Sequence, residues 1–160
     1  MALSPPRPID KAELRDRILA QLRSQLDVLA AAARSSRDEA TDGENRQEGK
    51  FDMRAQSAAY LAAGQSQLAD ELAQAIAAYQ ALDISRLTPD SPAALGALVS
   101  LDSGGQVSRI LFGPARGGLE VVFGAETITV VTPGSPLGRQ LLGRTAGQDI
   151  GGRRRIQSVE

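Results

Sequence analysis

Two runs of apolar residues at helical spacing, separated by a polar break, constrain this chain more than any other feature. From Asp10 onward apolar residues fall at Leu14, Ile18, Leu22, Leu26, Leu29 and Ala33, in steps of three and four. That period draws one stripe along a helix of roughly 24 to 28 residues, ending at about Arg37. Asp10, with Glu13 three residues on, has the pattern of an N-cap followed by an acid in the first turn. After a polar interruption from Ser35 to Lys50, a second stripe appears at Met53, Ser57, Leu61, Gly64, Leu68, Leu72 and Ile76. Antiparallel partners share one mean position, and Leu14 with Ile76, Ile18 with Leu72, Leu22 with Leu68, Leu26 with Gly64 and Leu29 with Leu61 all centre on position 45. Residues 10–82 therefore predict an antiparallel helical hairpin, a coiled-coil arm about 40 Å long with its turn near Asn45. Ala32, Ala33, Ala58, Ala59, Ala62 and Ala63 make its distal half slim.

The expected turn concentrates charge. Asp38, Glu39, Asp42, Glu44, Glu48 and Asp52 stand against Arg46 and Lys50, a net −4. Arg34, Arg37 and Arg54 lie just behind them. Two readings fit. Asp, Gly and Asn are turn formers, and a hairpin turn needs polar residues. Alternatively, a rigid arm delivers carboxylates to a distant site, where Asp42 and Glu44, on either side of Gly43, supply oxygen ligands to a divalent cation. So few ligands hold Mg²⁺ poorly alone, because that ion keeps waters and needs phosphates or further carboxylates. Metal chemistry at this turn requires a partner's site.

Beyond Leu82 the pattern changes to short β-type runs punctuated by glycine. Residues 83–93, with Pro89 and Pro92, read as a linker. Leu98 to Leu101, Val107 to Phe112, Leu119 to Phe123 and Thr127 to Val131 read as four strands in succession, which suits an antiparallel meander. Ser135-Pro136 offers an N-cap with proline at the first helical position, and Leu137, Leu141 and Leu142 give a short helix ended by Gly143. The two leucines read as core. A last strand is expected from about Arg154 to Val159. The fold class is thus α+β, with residues 94–160 forming a small antiparallel β domain with one short helix. Residues 1–9, which hold three prolines, are expected to be disordered.

Composition narrows the chemistry. The 160 residues contain no Cys and no His, which removes disulfides, thiol nucleophiles, imidazole or thiolate zinc sites and histidine-based triads. The formal net charge of −1 argues against coating nucleic acid by bulk attraction. No stretch is apolar enough to span a bilayer and no secretory leader is visible, so no membrane partner and a cytoplasmic location are expected.

Ser135-Pro136-Leu137-Gly138-Arg139-Gln140-Leu141-Leu142-Gly143-Arg144 resembles the SPLGxxLLGK signature in the carboxy-terminal domain of the Gre-type bacterial transcription elongation factors. Glu44-Asn45 is similar to the Glu-Asn pair of that family's acidic loop. Lys50-Phe51-Asp52-Met53-Arg54 and Tyr60-Leu61-Ala62 resemble segments of a divergent Gre-like branch. The resemblance implies an accessory factor without catalysis of its own or a small-molecule substrate. It would bind RNA polymerase through an FKBP-like domain and insert its coiled coil into the secondary channel. By the same resemblance Asp42 and Glu44 act on Mg²⁺ held jointly with the polymerase, stimulating its cleavage of backtracked nascent RNA. No cofactor of its own is implied. Ser135, Pro136, Leu137, Gly138 and Arg139 are the polymerase-binding candidates. Arg34, Arg37, Asn45, Lys50 and Arg54 are candidates for contact with RNA, or ordinary solubilising helix surface.

The resemblance also implies an alternative, a secondary-channel regulator or inhibitor without cleavage activity. Here only Gly43 separates Asp42 from Glu44, whereas better-known members have two intervening residues. A prolyl isomerase reading rests on fold analogy alone, and the β region offers only Phe112 and Phe123 to line an aromatic pocket.

Overall fold

The computed structural model describes the backbone of residues 8–43 and 51–160, with side chains for 8–38 and 56–160. The expectation of a disordered N-terminus falls mostly outside this range. Two long helices come first, α1 (Lys11–Gly43) and α2 (Phe51–Gln80), followed by a six-stranded sheet with one short helix. The class is α+β, as the sequence pattern indicates.

α1 begins where the pattern places it. The Asp10 carboxylate accepts hydrogen bonds from the amides of Ala12 at 2.9 Å and Glu13 at 3.3 Å, satisfying two of the donors that every helix start leaves unpaired. The expected break at Ser35 does not occur, and α1 continues to Gly43. Nothing between Ser35 and Thr41 forbids helix: two serines cost only a few tenths of a kcal/mol each, and the first strong breaker is Gly43.

The apolar stripe of α1 is correct. Leu14, Ile18 and Leu22 are fully buried, and Leu26, Leu29 and Ala33 are half-buried. Burying each of the first three stabilises the fold by about 1.5–3 kcal/mol. The stripe assigned to α2 is wrong over its first half. Leu61 is 67% exposed, Leu68 is 40% exposed, and Ser57 and Gly64 are exposed. Burial on α2 falls instead on Leu72, Ala75 and Tyr79, with Gln65, Ala69 and Ile76 half-buried. Gln65, Ala69, Leu72, Ile76 and Tyr79 follow one another at the same helical steps of three and four as the stripe read from the sequence, and in a helix this rich in alanine apolar spacing alone does not choose between two neighbouring faces.

The chain divides into two compact units, and the division cuts both long helices. Ala20–Ala77 forms one; the other joins the residues up to Leu19 with Ala78–Glu160. In the second unit the strands are β1 (Leu98–Ser103), β2 (Gln106–Phe112), β3 (Glu120–Phe123), β4 (Glu126–Val131), β5 (Asp149–Ile150) and β6 (Arg154–Val159). Their spatial order is β3-β4-β2-β1-β6-β5. This is not the expected meander. β4 lies between β2 and β3 and runs parallel to β2, with Arg109 opposite Ile128 and Phe112 opposite Val131. The connection 113–119 is too long for a tight hairpin and carries the chain past one strand position. Once there, Val130 N donates to Leu119 O and Gly118 N to Val130 O, both at 2.8 Å, which locks β3 outside β4. All other neighbours are antiparallel. The two residues of β5 make a short terminal hairpin with β6.

One face of the sheet carries a core of Val99, Leu101, Ile110, Phe112, Val131, Ile156 and Val159, closed by Leu141 of α3 (Pro136–Leu141) and by half-buried Leu137 and Leu87. Alternation along a strand sends Leu98, Ser100, Arg109, Leu111, Ile128 and Val130 to the other face, where they too are buried. The helix roots tie to this sheet unit. Arg17 donates to Val122 O at 3.0 Å and lies 4.7 Å from the centre of the Phe123 ring, a cation–π contact. Tyr79 Oη donates to Ala115 O at 2.7 Å.

Candidate functional site

The motif at 135–144 is built as a capped turn of helix. Ser135 has extended backbone (φ −73, ψ 157), and its hydroxyl accepts from Gly138 N at 2.9 Å while donating to Thr132 O at 2.8 Å. Pro136 occupies the first turn, where its missing amide costs nothing. Gly138 is buried against the backbone, and a Cβ there would collide with the Thr132 carbonyl oxygen. The helix closes through Leu142 N to Gly138 O at 2.9 Å, and Gly143 N donates to Ala93 O at 2.9 Å. Ala93 N returns a bond to Arg144 O at 2.7 Å. Residues 83–93, expected as a linker, contain no helix or strand and end on this motif.

Each candidate in the motif now has a place. Ser135 and Gly138 form the cap, and Leu137 faces the core. Pro136 and Arg139 are exposed. The expectation that both leucines are core holds for Leu141, fully buried, and fails for Leu142, which is 52% exposed. Leu142 is the C-cap, where the backbone leaves the helix (φ −54, ψ 124), so its side chain does not follow Leu141 into the core. Pro136 and Arg139 on α3 and Leu142 at its C-cap are the exposed side chains of the motif's helix and cap, two apolar and one cationic.

Of the candidates at the hairpin turn, Glu44, Asn45 and Lys50 lie outside the described residues. The Asp42 backbone belongs to the last turn of α1 and that of Arg54 to the first turns of α2, their side chains being outside the description. Arg34 and Arg37 are exposed on α1. Among the described residues no cluster of three or more potential metal ligands occurs. No helix among them is long and apolar enough to cross a membrane.

Residues that sequence reasoning missed hold the sheet unit together. The buried Lys11 ammonium donates to the carbonyls of Ser85 at 2.8 Å and Gly96 at 3.2 Å and to the main-chain oxygen of Glu160 at 3.0 Å. Three donors meet three acceptors, which is how an ammonium tolerates burial. Burial holds its pKa below the ordinary lysine value, opposed by the charges of Asp83 and Glu160. Asp83 is in turn held below the usual carboxylate range by hydrogen bonds from the Ser85 hydroxyl and amide. Gly96, at φ +85, passes so close to Asp83 that a Cβ would strike its carbonyl oxygen. Arg109, its side chain 4% exposed, reaches Glu126 at 3.4 Å and Glu160 at 3.3 Å. One signal was available: Arg109 directly precedes the unbroken apolar run Ile110 to Phe112, the mark of a strand buried on both faces.

Compared with known protein families and with curated proteins, the chain matches none. It is similar to solved structures of a Gre-like factor. Thermus aquaticus Gfh1 is 17% identical, with 88% of this chain and 92% of that chain covered, at a TM-score of 0.35. A structure of the transcription factor Gfh1 is 19% identical over 89% and 92%, at 0.37. The GreA factor homolog 1 of Thermus thermophilus is 16% identical over 89% and 94%, at 0.35.

Proposed function

We propose that this chain is an accessory factor of bacterial RNA polymerase. It binds through the α3 motif and carries the acidic turn between α1 and α2 into the polymerase's secondary channel. There the carboxylates of Asp42 and Glu44 join Mg²⁺ held by the polymerase and promote hydrolysis of backtracked RNA. The observation that supports this reading most is the motif at 135–144. Of the residues that resemble the Gre-type signature, Ser135, Pro136 and Gly138 build the cap and first turn of α3 and Leu142 is its exposed C-cap, while Arg139 stands at a position the signature leaves open. The long helices on either side of 44–50 and the net −4 of residues 38–52 are in keeping with it. Catalysis of this kind works by completing another site's charge and ligand set.

A second reading, inhibition without cleavage, draws on one observation. In sequence only Gly43 separates Asp42 from Glu44, where the better-known members of the Gre-type family have two intervening residues. A backtracked elongation complex incubated with Mg²⁺ separates the readings. Release of a short 3′ RNA fragment that the double variant Asp42→Ala/Glu44→Ala abolishes, with binding retained, supports cleavage. Inhibited synthesis with unchanged cleavage supports the second reading. Cleavage by the double variant equal to wild type removes the turn from the mechanism.

A further inference from the structure

The two edges of the sheet are closed in different ways. In the order β3-β4-β2-β1-β6-β5 the outer strands are β3 and β5. β5 has two residues, one of them Asp149, and is too short and too charged to template another strand. β3 has four residues, and its Val122 is 65% exposed. An antiparallel strand spends the amide and carbonyl of every second residue on its neighbour and turns the others outward. Leu119 O accepts from Val130 N. In the register that sets Val121 opposite Ile128 and Phe123 opposite Glu126, the inward groups therefore belong to 119, 121 and 123, and those of Glu120 and Val122 point away from the sheet. Such a row of outward donors and acceptors is a template for a further strand.

Arg17 stands on that row. Its Nη1 donates to Val122 O at 3.0 Å. Its Nε and Nη2 both donate to Glu13 Oε1, at 3.2 and 2.7 Å, one turn back on α1, and the guanidinium lies 4.7 Å from the centre of the Phe123 ring. All three nitrogens are engaged, so the planar fork is held where it is. The start of α1, up to Leu19, belongs to the same compact unit as the sheet. We infer that Arg17 guards the β3 edge: it occupies the carbonyl that an added strand needs, and its removal opens β3 to the β3 of a second copy of the chain. The register favours a copy. Two β3 strands antiparallel about a twofold axis at Val121 put Glu120 of each opposite Val122 of the other, exchanging four hydrogen bonds with no carboxylate facing a carboxylate. In that pairing Val122 O accepts from the Glu120 amide of the other copy. One arginine per chain thus blocks two of the four bonds, and the symmetry that makes the interface also repeats the block. The inference goes beyond the proposed function and does not depend on it.

Sedimentation velocity of the full chain, without polymerase, from about 1 to about 500 µM tests it on wild type, Arg17→Met and Arg17→Ala. Methionine keeps an apolar stem beside Phe123 and removes every donor; alanine removes the stem as well. Either variant that retains the wild-type circular dichroism should self-associate at least about tenfold more tightly than wild type. Adding Val122→Pro removes an outward amide without taking a bond from the ladder to β4, and should return self-association to the wild-type level. Self-association unchanged in the folded Arg17 variants overturns the inference, as does a tighter dimer that Val122→Pro leaves intact.

Discussion

Gly138 lies directly against the Thr132 carbonyl oxygen, in a space that no Cβ can share. Two effects of Gly138→Ala oppose each other. Alanine is the better helix former by about 1 kcal/mol, but the collision is with backbone, which a rotamer change does not relieve, and overpacking of this kind costs about 1–3 kcal/mol. α3 is six residues long and its cap depends on the Gly138 amide, so the collision dominates. Denaturant unfolding should show net destabilisation; a stabilised variant would mean that the turn relaxes freely.

Lys11→Met should destabilise the fold by about 1–3 kcal/mol, because it leaves the carbonyls of Ser85 and Gly96 and the Glu160 oxygen short of a donor in a part-buried site. Methionine matches the stem in length, so the loss reports on the ammonium rather than on packing. Equilibrium urea unfolding of the two proteins measures it.

Tyr79 is fully buried, and that burial pushes its phenol pKa far above the ordinary value, with the charge of Arg116 acting the other way. A raised folded-state pKa gives stability that is complete below the unfolded value and lost as pH rises past it. The fold should therefore weaken from about pH 10 upward, and Tyr79→Phe should reduce that alkaline loss. At neutral pH the same variant gives up the bond to Ala115 O and about 0.5–1.5 kcal/mol. Melting temperatures of both proteins from pH 7 to about 11 provide the comparison.

These residues divide into those the sequence announces and those it conceals. The Asp10 cap, the Ser135-Pro136 cap and the last strand at Arg154–Val159 are local, set by residues within three or four positions, and all three occur as read. The face of α2 was misread over its first half because Gln65, Ala69, Leu72, Ile76 and Tyr79 form a second stripe at the same helical spacing, and apolar spacing alone does not choose between the two. The parallel pairing of β2 with β4 depends on the path of the connection 113–119, which no strand pattern encodes. Lys11 and Arg109 are ordinary surface residues by type; only contacts 74 to 149 residues away along the chain for Lys11, and 17 to 51 for Arg109, bury them. At the candidate site the motif was legible, but the sequence could not say which leucine of the pair at 141 and 142 faces out.

Binding of the purified full chain to bacterial RNA polymerase, measured by fluorescence anisotropy, tests the central claim most directly. Arg139 on α3 and Leu142 at its C-cap are exposed, so Arg139→Glu/Leu142→Glu should change stability by less than about 1 kcal/mol. The account predicts saturable binding by the wild type and a loss of about tenfold or more in the double variant. No binding by the wild type, or undiminished binding by a folded double variant, would contradict it.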